Sequence, residues 1–107
     1  MTYFDPYIFS DAHYLNSNPY KAFLNAKKYL GKDTLLFPSS MKNKKYMVYN
    51  PNTDKWVSFG DIRYEDFLKH KSLIRKNNYI RRASNIKGNW RNDPYSPNNL
   101  SINILWS

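Results

Sequence analysis

Asp66 and His70 lie four residues apart, in a stretch that also carries Asp61 and Glu65. On a helix that spacing puts the carboxylate and the imidazole on one face. A carboxylate so placed can orient an imidazole for acid–base work, and Asp61 or Glu65 could add a second acid. The set is incomplete. A metal centre needs a third and fourth ligand, and His13 is the only other histidine. Catalysis needs a nucleophile or second catalytic group, and the chain has no Gly-rich phosphate loop, nucleophile motif or paired-His signature. The plainer reading is an ionic i,i+4 pair, or a histidine that hydrogen-bonds to fix a helix against its neighbour. We expect no catalytic residue, no metal ligand and no cofactor. A small hydrolase or nuclease built on Asp66 and His70 is the weakest of the readings weighed.

Charge carries a second kind of chemistry. Lys and Arg number 17 against 8 Asp and Glu, a formal net charge of +9. Lys69, Lys71, Arg75, Lys76, Arg81, Arg82, Lys87 and Arg91 fall in one stretch without an acid, and Lys42, Lys44 and Lys45 form a second cluster. Such a field draws polyanions or acidic protein surfaces. The 69–91 stretch is a candidate face for nucleic acid or for an acidic partner, with Tyr79 and Trp90 available for stacking. Against this stands a solvated basic surface, and no recognised DNA-binding module is present. The arginines differ from the lysines, since a guanidinium can also bridge carboxylates or carbonyls inside the framework.

These residues need elements to position them. "NPYKAFLNAKKYLG" predicts a helix, with Asn18 as its cap, Pro19 at the first position and Gly31 at its end. "KKYMVYNPNTDKWVSFG" predicts a β-hairpin over about 45–60, turning on Pro51–Asp54. Gly60 suits a positive φ where strand gives way to helix, with Asp61 as the cap. Residues 62–84 predict one or two short basic helices, broken where Ser72 can cap the second. Trp56, Phe59, Tyr64 and Phe67 are expected to cluster between strand and helix, with Trp90 and Trp106 as lids or partner anchors. Residues 1–17 read as an extended aromatic arm. Residues 85–107 read as a loop-rich tail closing in a strand-like "SINILW". The expected fold is a single α+β domain over 18–107 behind that arm.

Composition sets outer bounds. One domain fits 107 residues. Aromatics make 18%, which suits cores and interfaces alike. The absence of Cys excludes disulfides and thiolate zinc sites. No apolar run reaches the ~20 residues of a membrane span. The opening residues resemble neither a signal nor a transit peptide, so the expected setting is the cytoplasm, the nucleus or a particle assembled there.

Residues about 38–107 resemble a family of small basic uncharacterised proteins of nucleocytoplasmic large DNA viruses, relatives of phycodnaviruses and mimiviruses. The resemblance rests on "PSSMKNKKYMVY", "VSFGDIRYEDFLKHK", "RKNNYIRR", "NW" and the terminal "ILW". The matching positions are Phe59, Gly60, Tyr64, Asp66, Phe67, His70, Lys71, Arg75, Tyr79, Arg81, Trp90, Leu105 and Trp106, of which Phe59, Gly60, Tyr64, Asp66, Phe67, His70, Tyr79 and Trp90 are read as a framework motif. Two departures from the pattern stand out: Arg82 stands where the family usually has His, and "SPNNLSINI" replaces a Gly-aromatic-Ser run. The resemblance implies a viral setting and incorporation into virions, and carries no reaction. The expectation that follows is a non-enzymatic structural component, a minor capsid or virion-associated protein made in the host cytoplasm or nucleus. It would hold capsid or other virion proteins through Tyr3, Phe4, Tyr7, Phe9 and Trp106 as partner anchors. A nucleic-acid-binding protein for genome packaging is the alternative.

Overall fold

The computed structural model describes residues 3–107. Its elements form a compact α+β domain around a three-stranded antiparallel sheet. Two short helical segments open the chain: a 3-10 turn at Pro6–Ile8 and helix α1, Asp11–Asn16. Helix α2, Pro19–Leu30, starts where the Asn18 side chain accepts from the Lys21 N–H and ends at Gly31, whose φ of 116° a side-chain-bearing residue rarely adopts.

The sheet runs β1 (Leu36–Pro38), β2 (Lys44–Asn50), β3 (Lys55–Asp61). Tyr46 faces Phe59 and Val48 faces Val57 across the hairpin. Tyr46, Val48 and Phe59 are fully buried, and Leu100, Ile104, Leu105, Phe9 and Leu36 complete the core around them. Aromatic and β-branched residues at alternate positions give the hairpin one face that leaves water, which is why this stretch pairs in this register.

Helix α3 (Phe67–His70) stops at Lys71, which sits in the left-handed region at φ 57°. Helix α4 (Leu73–Ser84) then begins at Ser72, whose hydroxyl accepts from the Arg75 N–H at 3.3 Å. After a 3-10 turn at Trp90–Asn92, helix α5 (Pro97–Leu100) runs on into a π-helical turn, Ser101–Leu105.

Three expectations need correcting. The strand-like tail is helical. Ser96 caps α5 with Pro97 at its first position, and Asn103 donates to the Asn99 carbonyl at 2.9 Å. With Leu100, Ser101, Ile104 and Leu105 all buried, the spacing that matters there is i,i+4, not i,i+2. Second, residues 3–17 are not an extended arm. Asp5 caps the Tyr7 N–H at 2.9 Å, and Ser10 and His13 exchange hydrogen bonds at the start of α1. Third, the ring cluster of Trp56, Phe59, Tyr64 and Phe67 does not form. Trp56 packs on Phe37 and Tyr49, Phe59 on Tyr46, and Phe67 on His70, while Tyr64 is 65% exposed. Among the described residues, no helix is long and apolar enough to cross a membrane.

Candidate functional site

Lys45 belongs to β2 and Asp66 directly precedes α3. Lys45 Nζ meets Asp66 Oδ2 at 3.1 Å, and each side chain is only 2% exposed. Lys45 also donates to the Tyr64 carbonyl at 2.8 Å and the Asn16 carbonyl at 3.2 Å. Its own carbonyl accepts from His13 Nε2 at 2.6 Å. One buried lysine thus ties α1, β2 and the loop after β3 together. Burial pushes Asp66 up and Lys45 down, while each partner's opposite charge opposes the other's shift. Asp66 Oδ1 is buried without a hydrogen-bond partner in good geometry, and the Ser17 hydroxyl beside it helps hold the carboxylate.

This geometry separates Asp66 from His70. Asp66 sits at the N-cap position of α3 with an extended backbone (φ −115°, ψ 178°), so the two do not share a helix face. His70 Nδ1 accepts from the Ser72 N–H at 2.9 Å, which leaves the proton on Nε2. Nε2 is buried without a partner, and the ring packs against Phe67 and Trp106. Burial, and secondarily the Arg75 charge, lower the His70 pKa. The remaining acids are engaged as well. Arg63 grips Asp61 through Nε and Nη2 at 3.0 and 2.8 Å and lowers its pKa to about 2, and Asp61 shapes the turn after β3 instead of capping a helix. Arg75 meets Glu65 at 3.3 Å. Among the described residues, no three His, Asp or Glu side chains converge as a metal-ligand set.

Gly60 keeps a positive φ of 77°, but it lies within β3. A Cβ there would stand 2.8 Å from Leu105 Cδ1 and 3.1 Å from Lys45 Cβ. The residue is glycine because the C-terminal helical segment crosses the hairpin at that point.

The expected anchors divide. Tyr3 and Tyr7 are 85% and 93% exposed. Phe9 is buried against His13 and Tyr46, and Phe4 packs on Phe9, Tyr20 and Phe23. Trp106 stacks face to face on Tyr79, with centroids 4.1 Å apart and planes 4° from parallel. Phe9 is therefore internal, and Phe4 and Trp106 are half-buried against rings of the same domain. Trp90 donates its indole N–H to the Ile86 carbonyl and lies under the Arg91 guanidinium, a local cap after α4.

The basic stretch lies on α3, α4 and the turn beyond. Lys69 donates to the Tyr14 carbonyl, and Lys76 sits 4.7 Å above the Phe67 ring. Arg75 alone in this stretch meets a carboxylate. Lys71, Arg81, Arg82 and Lys87 are exposed and make no ion pair among the described residues. Leu73 and Ile74, in the first turn of α4 just after Lys71, are 65% and 75% exposed. Sequence reasoning placed Leu73 and Ile74 on the helix and missed that both face solvent.

Beneath α4 lies a cleft of about 670 Å³. Arg75, Asn78, Tyr79 and Arg82 line one wall, at i, i+3, i+4 and i+7 spacing. The opposite side is built from Lys44, the loop after β3 including Tyr64, and the C-terminal helical segment. The cleft was not foreseen, because its walls come from four separate segments of the chain and no local pattern marks their meeting.

Residues 35–83, from just before β1 to near the end of α4, match the model of a family of unknown function (DUF5754). No curated protein and no solved structure matches the chain.

Proposed function

We propose that this protein acts without turnover, as a structural binding component of a large DNA virus particle that holds protein neighbours through its α4 face. One observation carries the reading: Leu73 and Ile74 are adjacent and both largely in solvent, with Lys71, Arg75 and Lys76 as their neighbours along the chain. A face that serves only to keep a protein soluble has no need of two adjacent large aliphatics. A purely phosphate-binding face has no use for them either. Aliphatic anchors inside a cationic rim fit an acidic protein surface with an apolar centre. The viral setting comes from the sequence resemblance. Tyr3 and Tyr7 are further anchors, on the opening segment.

Replacement of Leu73 and Ile74 by Asp tests the reading. Both side chains are solvent-exposed, so the fold should survive, while the apolar centre is lost. Incorporation into particles should fall by about tenfold or more, the scale of losing one to two well-seated aliphatic contacts. Unchanged incorporation of a folded variant would count against the proposal. Genome packaging through nucleic acid remains the second reading, favoured by the unpaired Arg81 and Arg82. It requires binding that weakens steeply with salt.

A further inference from the structure

The cleft beneath α4 has an unusual charge balance. Three carboxylates line it, and each already has a cation: Asp61 has Arg63, Glu65 has Arg75, and Asp66 has Lys45. Two lining cations, Lys44 from β2 and Arg82 from α4, form no salt bridge among the described residues, although Lys44 stands opposite Asp61 across the hairpin, so the lining's four cations outnumber its three carboxylates by one. The cleft therefore holds an uncompensated positive charge inside a concavity, where low-dielectric walls concentrate the field. Asn78, one helical turn before Arg82, presents an amide with no hydrogen-bond partner among the described residues. Tyr64 lines the other side with its ring largely in solvent.

We infer that this cleft is a binding site for the phosphate ester of a nucleotide. Arg82 offers a planar fork of donors matched to phosphate oxygens, and Lys44 adds a point charge. The Asn78 amide supplies a neutral donor or acceptor for sugar or base. The exposed Tyr64 ring is a platform on which a base can stack, a contact open to any base. A volume of about 670 Å³ is ample for a mononucleotide. The Tyr79–Trp106 stack holds the α4 wall in place without filling the space. This site does not depend on the protein-contact reading, which uses the outward turn of α4 around Leu73 and Ile74. The phosphate can belong to a free nucleotide or to a single strand, and the recognition chemistry is the same.

Titration calorimetry at low salt tests the site with adenosine 5′-monophosphate, adenosine, and a thymidine single strand of about ten nucleotides. Binding of the monophosphate, of the strand, or of both supports the site, and the pattern identifies the source. Arg82→Gln should weaken that binding by about tenfold, the worth of a charge-assisted hydrogen bond. Lys28→Gln removes one positive charge from α2, outside the lining and outside the 69–91 stretch, and should change it by less than about threefold. Three results would overturn the site: neither phosphate probe binds, adenosine binds as tightly as its monophosphate, or Lys28→Gln weakens binding as much as Arg82→Gln. Circular dichroism of both exposed-site variants checks that the fold is intact.

Discussion

Lys45 Nζ and Asp66 Oδ2 meet at 3.1 Å in the interior of the domain, 21 positions apart in the chain. The pair fixes the loop after β3 against α1 and β2. Breaking it from one side strands a buried charge, whereas replacing both partners does not. Asp66→Asn or Lys45→Met alone should cost about 3–5 kcal/mol. The double variant Lys45→Met, Asp66→Asn should cost clearly less than the sum of the two single changes. Urea unfolding of the variants measures this, and strict additivity would show that the two charges are not coupled.

Gly60 is held between Lys45 and Leu105. Gly60→Ala adds a methyl group into Leu105 at a positive φ, so it should destabilise by about 2 kcal/mol or more, from backbone strain and overpacking together. Leu105→Ala in the same chain makes room, and the pair should cost less than the two changes added. Thermal unfolding reads both, and a fully additive double variant would mean that Leu105 is not the obstacle.

Tyr7 and Phe9 are two positions apart and should behave oppositely. Phe9 packs on His13 and Tyr46, so Phe9→Ala should cost about 3 kcal/mol. Tyr7 is 93% exposed, and Tyr7→Ala should stay within about 0.5 kcal/mol in the isolated protein. Equal losses in chemical denaturation would contradict the folded opening segment.

His13 links the domain to pH. Its Nδ1 accepts from the Ser10 N–H and its Nε2 donates to the Lys45 carbonyl, so the fold uses the neutral ring. Burial lowers its pKa, and His70 shifts the same way. A histidine whose folded pKa lies below its unfolded value contributes stability above the unfolded pKa, and that stability is lost as pH falls through the folded one. Unfolding midpoints should therefore drop from pH 7 towards pH 5, and His13→Gln should flatten part of that slope. A midpoint that rises over the same interval would refute the assignment.

The sequence carried the local grammar well. Asn18 with Pro19, the Pro51–Asp54 turn and Ser72 are short-range signals, and short-range hydrogen bonds at those positions decide where elements start and stop. Relations between distant segments were not legible. Lys45 reads as one cation in a lysine cluster, and nothing near it in the chain announces Asp66. The closing "SINILW" alternates like a strand, but the Ser96–Pro97 cap starts a helix first, and burial of Leu100 with Ile104 and of Ser101 with Leu105 rewards helical spacing. The opening aromatics looked like anchors for a neighbour because composition cannot tell an interface from a core. Phe9 went to the core and Phe4 packed half-buried against it, and Tyr3 and Tyr7 stayed outside.

Cross-linking of intact particles through lysine side chains tests the central claim most directly. Lys71 and Lys76, which flank Leu73 and Ile74, should link to an acidic surface of a neighbouring virion protein. Links from these two lysines to the genome alone, or a protein absent from particles altogether, would contradict it.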